Sequence, residues 1–242
     1  AHVIFDRPQA RNAMTWTMYE GLADACDEIM DDPSVRVAVF RGAGGKAFVA
    51  GTDIAQFKAF TSGDDGLAYE DKVETYISRV ERLPMPTLCV VEGWAVGGGM
   101  ALANACDFRI AADNAKFGMP EVRVGLPSVI EAVLLPHLVG WGRTRWLLMT
   151  GEMIDATTAH QWGFVEFLTT PEELDAVLDR SVKAIVESGP HAIRTQKVLI
   201  QSWESLAPDE AIAETIPIFG DSFETGEPQA MLGGFLARKA KG

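Results

Sequence analysis

Apolar and polar positions change their period several times along the chain. "HVIFD" at the start is a short apolar run and reads as a strand, whereas "TWTMYEGLADACDEIMDD" puts Met18, Leu22, Cys26 and Ile29 on one helical face. "VRVAVF" is a short buried strand and leads into the glycine-rich "RGAGGKAFVAGTD". A second helix is predicted from Leu67 to Leu83, where Pro84-Met85-Pro86 breaks it. "TLCVVEG" is a third buried strand, and three consecutive glycines, Gly97, Gly98 and Gly99, then open an apolar helical run. "DFRIAA" and "AKFGMPE" read as two more strands.

The second half is mainly helical. Ser128 opens a helix to about Leu138, Asp155 caps "ATTAHQW", and Thr170-Pro171-Glu172-Glu173 has the residues of a helix start. Two or three helices follow Pro190. No repeat, low-complexity stretch or dividing linker interrupts the 242 residues, so one α/β unit with a helical C-terminal part is expected. Between the second strand-rich segment and its helix, the polar stretch Ser62 to Gly66 reads as a mobile loop beside any pocket.

Composition narrows the partners. Hydrophobic residues make up 48% and charged residues 23%, and no apolar run approaches the roughly 20 residues that span a bilayer. No secretory leader is expected. A formal net charge of −13 argues against nucleic acid or an anionic membrane surface, but leaves room for a small anionic ligand at a local cluster of cations. Cys26, Cys89 and Cys106 lack metal or redox spacing and read as buried packing residues, so a reducing, cytoplasmic setting is expected. The four histidines are scattered and no metal site is claimed. Trp94, Trp141, Trp146 and Trp162 read as core or interface residues.

Motif tests remove several chemistries. "GAGGKAF" lacks the first glycine and the Ser or Thr of a nucleotide P-loop, and "VGGGMAL" is not a dinucleotide fingerprint. No G-x-S-x-G elbow is present. What remains is a pair of glycine-bearing strand-to-helix turns, "FVAGTD" and "WAVGGGMAL". Backbone N–H groups at two such turns can converge on one oxygen and stabilise negative charge there.

Those turns belong to a longer pattern. "FDRPQARNAM", "KAFVAGTDI", "EGWAVGGGMALANACDFRIAADNAKFGMPEVRVGLP" and "GWGRTRWLLMTGEMIDATTAHQWGFV" resemble the crotonase (enoyl-CoA hydratase/isomerase) superfamily over essentially the whole chain. The resemblance implies a ββα spiral core over residues 1–188 and a C-terminal helical trimerisation part over 189–242, in one structural unit. It also implies an acyl-CoA substrate with no further cofactor, and a homotrimer or a dimer of trimers.

Site residues carry over by position. The backbone N–H groups of Thr52 and Gly98 would form the oxyanion hole for a thioester enolate. Arg7, Ala10, Lys46, Ala50, Asp53, Ile54 and Gly97 would meet the CoA portion, although Asp53 also reads as a helix cap. Two-glutamate hydratases of the superfamily carry one glutamate two places after the glycine triplet, where this chain has Ala101, and another in the "PE" segment, here Glu121. Glu131 is a candidate replacement, with an alternative role in a Ser128–Glu131 capping box. Enoyl-CoA hydratase is the reading implied first. A double-bond isomerase is the alternative, and an inactive CoA-binding assembly subunit comes after it.

Overall fold

The computed structural model describes residues 1–239 and resolves the strands into two sheets. The larger contains His2–Phe5 (β1), Ala38–Gly42 (β2), Thr87–Val91 (β4), Phe108–Ala112 (β6) and Phe167–Thr169 (β9), in the order β1-β2-β4-β6-β9 and parallel throughout. The smaller contains Ala47–Val49 (β3), Trp94–Val96 (β5), Lys116–Gly118 (β7) and Ile154–Asp155 (β8), with only the last pair antiparallel.

Consecutive strands therefore part company. β2 joins the large sheet and β3 the small one, then Gly63–Glu81 (α2) returns the chain. β4 and β5 repeat the step before Gly98–Asn104 (α3), and β6 and β7 repeat it again. This is the expected ββα spiral. Strand alternation splits the large sheet's side chains cleanly. Phe40, Cys89, Val91 and Ala111 enter the main core, which also receives Trp16–Asp31 (α1) through Tyr19, Leu22, Cys26 and Ile29. Val39, Leu88, Val90 and Ile110 pack instead on Leu174 and Leu178 of the helix Leu174–Val186 (α7).

Between β7 and α7 lie Leu135–Val139 (α4), Trp141–Thr150 (α5) and Ala156–Gln161 (α6), and beyond α7 come Pro190–Trp203 (α8), Pro208–Ser222 (α9) and Glu227–Lys239 (α10). Buried Lys197 fastens α8 to the core, donating to Asp107 at 2.8 Å and to the Met85 carbonyl at 3.2 Å.

Four local expectations change. Ser62 to Gly66 is no loop: Ser62 caps α2, Asp65 closes a capping box, and the first helical turn contains both glycines. Thr170 makes no side-chain cap bond, although Asp155 does cap α6, accepting from Thr158 N–H at 2.8 Å. The short 3-10 turn Ile130–Leu134 is preceded by Val129 rather than capped by Ser128. Trp94, Trp141 and Trp146 lie on the surface of the chain rather than in its core, Trp141 with 64% of its area exposed.

Candidate active site

A cavity of about 650 Å³ opens where α1, α2, the start of α3 and the segment after β7 meet. Its wall is largely apolar, with Phe57, Phe60 and Tyr69 packed edge to face on one side. Ala50, Thr52, Ile54, Gly97, Gly98 and Glu121 all line it.

The three glycines serve three different needs. Gly97 has φ +54°, and a Cβ there would sit 2.8 Å from Glu121 Oε1. At Gly98 a Cβ would lie 3.1 Å from the Tyr19 hydroxyl and 3.9 Å from Thr52 N. At Gly99 it would collide with the Val49 carbonyl oxygen, so this glycine lets α3 lie against β3. Thr52 is fixed by a bridge to Met14, in which Met14 N–H donates to the Gly51 carbonyl and Asp53 N–H to the Met14 carbonyl. Among the described residues, the Thr52 and Gly98 N–H groups have no protein acceptor. They belong to adjacent turns beside the cavity, and the Gly98 group also sits at a helix start.

Beneath them runs a chain of hydroxyls. Thr52 Oγ1 lies 2.8 Å from the Tyr19 hydroxyl and 2.6 Å from that of Tyr69. Burial pushes the Tyr19 phenol well above its ordinary range, with the neighbouring Tyr69 adding to it. Glu121 follows β7 and accepts from the Ser128 hydroxyl at 2.5 Å. Glu70 of α2 faces the same cavity, and burial, then the charge of Glu121, raises its carboxyl above the ordinary carboxylate range.

A model of the enoyl-CoA hydratase/isomerase family matches residues 1–240. The chain belongs to that family. It is 34% identical to the crotonyl-CoA hydratase of Syntrophomonas wolfei, over 99% of this chain and 92% of the relative. It is 32% identical to the short-chain-enoyl-CoA hydratase of Clostridium acetobutylicum over the same shares. The crystal structure of an enoyl-CoA hydratase from Bacillus anthracis superposes with a TM-score of 0.92 at 29% identity, covering 99% of this chain and 92% of that one.

Set in this family, the site has one departure and several unforeseen members. Ala101 lies in the cavity wall, where a two-glutamate hydratase would have a carboxyl. Glu131 is 5% exposed and does not line the cavity. Burial pushes its carboxyl up to about 8, and the charges of Glu81, Glu74 and Glu70 add to the effect. Glu131 is thus not in the cavity wall that Glu121 lines, and Ser128 serves Glu121 instead of a capping box.

The residues expected near CoA divide as well. Ala50, Ile54 and Gly97 reach the cavity, whereas Arg7, Ala10, Lys46 and Asp53 are outside its wall. Arg7 pairs with Asp53 at 2.8 Å, and Asp53 also accepts from Ala55 N–H, as a cap should. That backbone bond, then Arg7, holds the Asp53 carboxyl below its usual range. Lys46 is exposed. Tyr19, Tyr69, Glu70 and Ser128 were not foreseen as site residues. The i, i+3, i+4, i+7 spacing of Gly66, Tyr69, Glu70 and Val73 was the available signal.

Proposed function

We propose that the chain is an enoyl-CoA hydratase, adding water reversibly to a 2-enoyl-CoA thioester, and that the active-site carboxyl is Glu121. The observation that supports this best is the position of that carboxylate, against the turn whose Gly98 N–H neighbours the Thr52 N–H. On this reading the thioester carbonyl accepts from both N–H groups. As water adds to the β-carbon, negative charge moves onto that oxygen, and each donor contributes roughly 10²–10³ in rate. Glu121 takes the water proton and returns a proton to the α-carbon. Ala50, Ile54 and Gly97 flank the pantetheine, and Arg7, Ala10, Lys46 and Asp53 lie toward the nucleotide end. No cofactor is needed beyond the CoA of the substrate.

Ala101 favours one second reading, a double-bond isomerase, because moving a proton between two carbons needs only one carboxylate. Mass spectrometry of reactions with 2-enoyl- and 3-enoyl-CoA thioesters of several chain lengths tests both. Gain of one water on a 2-enoyl substrate, lost in Glu121→Gln, is the expected result. Conversion of a 3-enoyl to a 2-enoyl thioester at constant mass would replace hydratase by isomerase. Coenzyme A binding without any turnover would leave an assembly subunit.

For assembly we infer a trimer or a pair of trimers built through the helical region after Gly189. Ile212, Ile216 and Phe219 of α9 and Leu232 and Phe235 of α10 are exposed on the isolated chain, an apolar surface suited to burial between copies. Native mass spectrometry gives the copy number. Three buried cysteines without disulfides fit the cytoplasmic setting.

A further inference from the structure

Among the described residues two carboxyls line the cavity, Glu70 and Glu121, and the sequence motif accounts for only the second. Glu121 enters from the segment after β7, while α2 turns Gly66, Tyr69, Glu70 and Val73 toward the same space as one helical face. Glu70 is within electrostatic reach of Glu121, and the two share a mostly apolar, partly enclosed volume. Ala101 stands in that wall without a proton to give. The two carboxyls have different neighbours. Glu121 accepts from the Ser128 hydroxyl at 2.5 Å, whereas half-burial and then the charge of Glu121 raise the Glu70 carboxyl above the ordinary carboxylate range, which favours its protonated form.

We propose that Glu70 is the second catalytic carboxyl of this enzyme, delivering a proton to the substrate α-carbon while Glu121 removes one from water. The water oxygen bonds to the β-carbon as its proton passes to Glu121. The electron pair of the carbon–carbon double bond moves toward the thioester, forming the enolate held by the Thr52 and Gly98 N–H groups. That pair then forms the α-carbon–hydrogen bond with the proton of Glu70. One proton passing from Glu121 to Glu70 restores both groups, and the sum is one water added. The assignment rests on the hydratase reading above and replaces its single shuttling carboxyl by two.

A pH signature follows. Tyr69 on its own helix, Tyr19 on α1, and Glu121 and Glu131 after β7 lie within electrostatic reach of Glu70, and Arg123 also lines the cavity. Hydration slows at high pH as Glu70 loses its proton.

The test compares wild type, Glu70→Gln, Glu70→Asp and Glu121→Gln in crotonyl-CoA hydration. The same proteins are assayed for exchange of the α-hydrogens of butyryl-CoA in D2O, and butyryl-CoA affinity reports an intact site. Glu70→Gln is expected to bind butyryl-CoA as wild type does, to lose roughly 10²–10⁴-fold in hydration and to lose the high-pH limb. It also loses α-exchange, and Glu70→Asp recovers part of each activity. Glu121→Gln loses hydration but keeps exchange. Wild-type rate and pH profile in Glu70→Gln would overturn the proposal, as would exchange lost in Glu121→Gln and kept in Glu70→Gln. If the wild type itself adds no water to any 2-enoyl thioester, the hydratase reading fails first.

Discussion

Replacing Gly98 and Gly99 singly by alanine should separate catalysis from stability at adjacent positions. At Gly98 the new methyl lies 3.1 Å from the Tyr19 hydroxyl and 3.5 Å from Thr52 Oγ1. Tyr19 is held by its bond to Thr52, and losing that bond costs about 1 kcal/mol. Exchanging a helical glycine for alanine contributes roughly 0.5–1 kcal/mol in the other direction, so stability barely changes. The methyl nevertheless projects into the space beside Thr52 N, where the thioester oxygen must sit. Turnover should fall about 10²–10³-fold, the cost of losing one oxyanion donor.

At Gly99 the obstacle is the Val49 carbonyl, backbone that cannot rotate away, with Val49 Cβ only 3.0 Å from the added atom. Overpacking of this kind costs about 1–3 kcal/mol, and the upper end applies because β3 and α3 must separate. After the helical gain about 2 kcal/mol remains, a fall in melting temperature of roughly 4–8 °C for a chain of this size. Thermal melts and crotonyl-CoA hydration rates measured on both variants decide the matter. Full activity in Gly98→Ala, or a wild-type melting temperature in Gly99→Ala, would refute the division of roles.

Three other perturbations test separate parts of the structure. Glu131 holds its proton up to about pH 8 when folded but ionises near 4.5 when unfolded, so its stabilising contribution is full below 4.5 and is lost as pH rises toward 8. Glu131→Gln should flatten that decline in thermal melts from pH 5 to 8, by a few kcal/mol at most, and keep turnover because the side chain is outside the cavity. Thr52→Val leaves the Tyr19 and Tyr69 hydroxyls without their shared partner and should cost about 1–3 kcal/mol in urea unfolding. It retains the backbone N–H, so its loss of turnover should be smaller than that of Gly98→Ala. Lys197→Met strands Asp107, though Thr87 still donates to that carboxylate through its N–H and hydroxyl. The cost, read by urea unfolding, should therefore fall below the roughly 3–5 kcal/mol of a fully buried broken pair.

Long elements with a clear period were legible in the sequence, and so were the two oxyanion turns. The short strands β3 and β5 were not. Each is three residues long beside glycines, and only its pairing partners make it a strand. The first turn of α2 was obscured by Gly63 and Gly66, which lower helix propensity, although Ser62 and Asp65 stood at capping-box spacing. The same pattern misled at Ser128. Ser-x-x-Glu fits a cap locally, but the hydroxyl there is spent on Glu121, seven residues earlier, a contact that depends on how the segment after β7 folds back.

Glu70 was hidden for a different reason. On a helix with acidic residues at 64, 65, 71, 74 and 81, one more carboxylate reads as part of a solvated face. Its distinction comes from α2 lying over the cavity, which brings a residue of one ββα unit opposite Glu121 of another. A motif along the chain can mark the turns that hold an oxygen, because the same few residues supply both backbone and geometry. It cannot mark a proton donor supplied by a neighbouring helix, since any position along the exposed edge of that helix has the right reach. Ala101 therefore alters one place from which a second proton can come without excluding a second donor, and the opposing helix face is where this fold offers one.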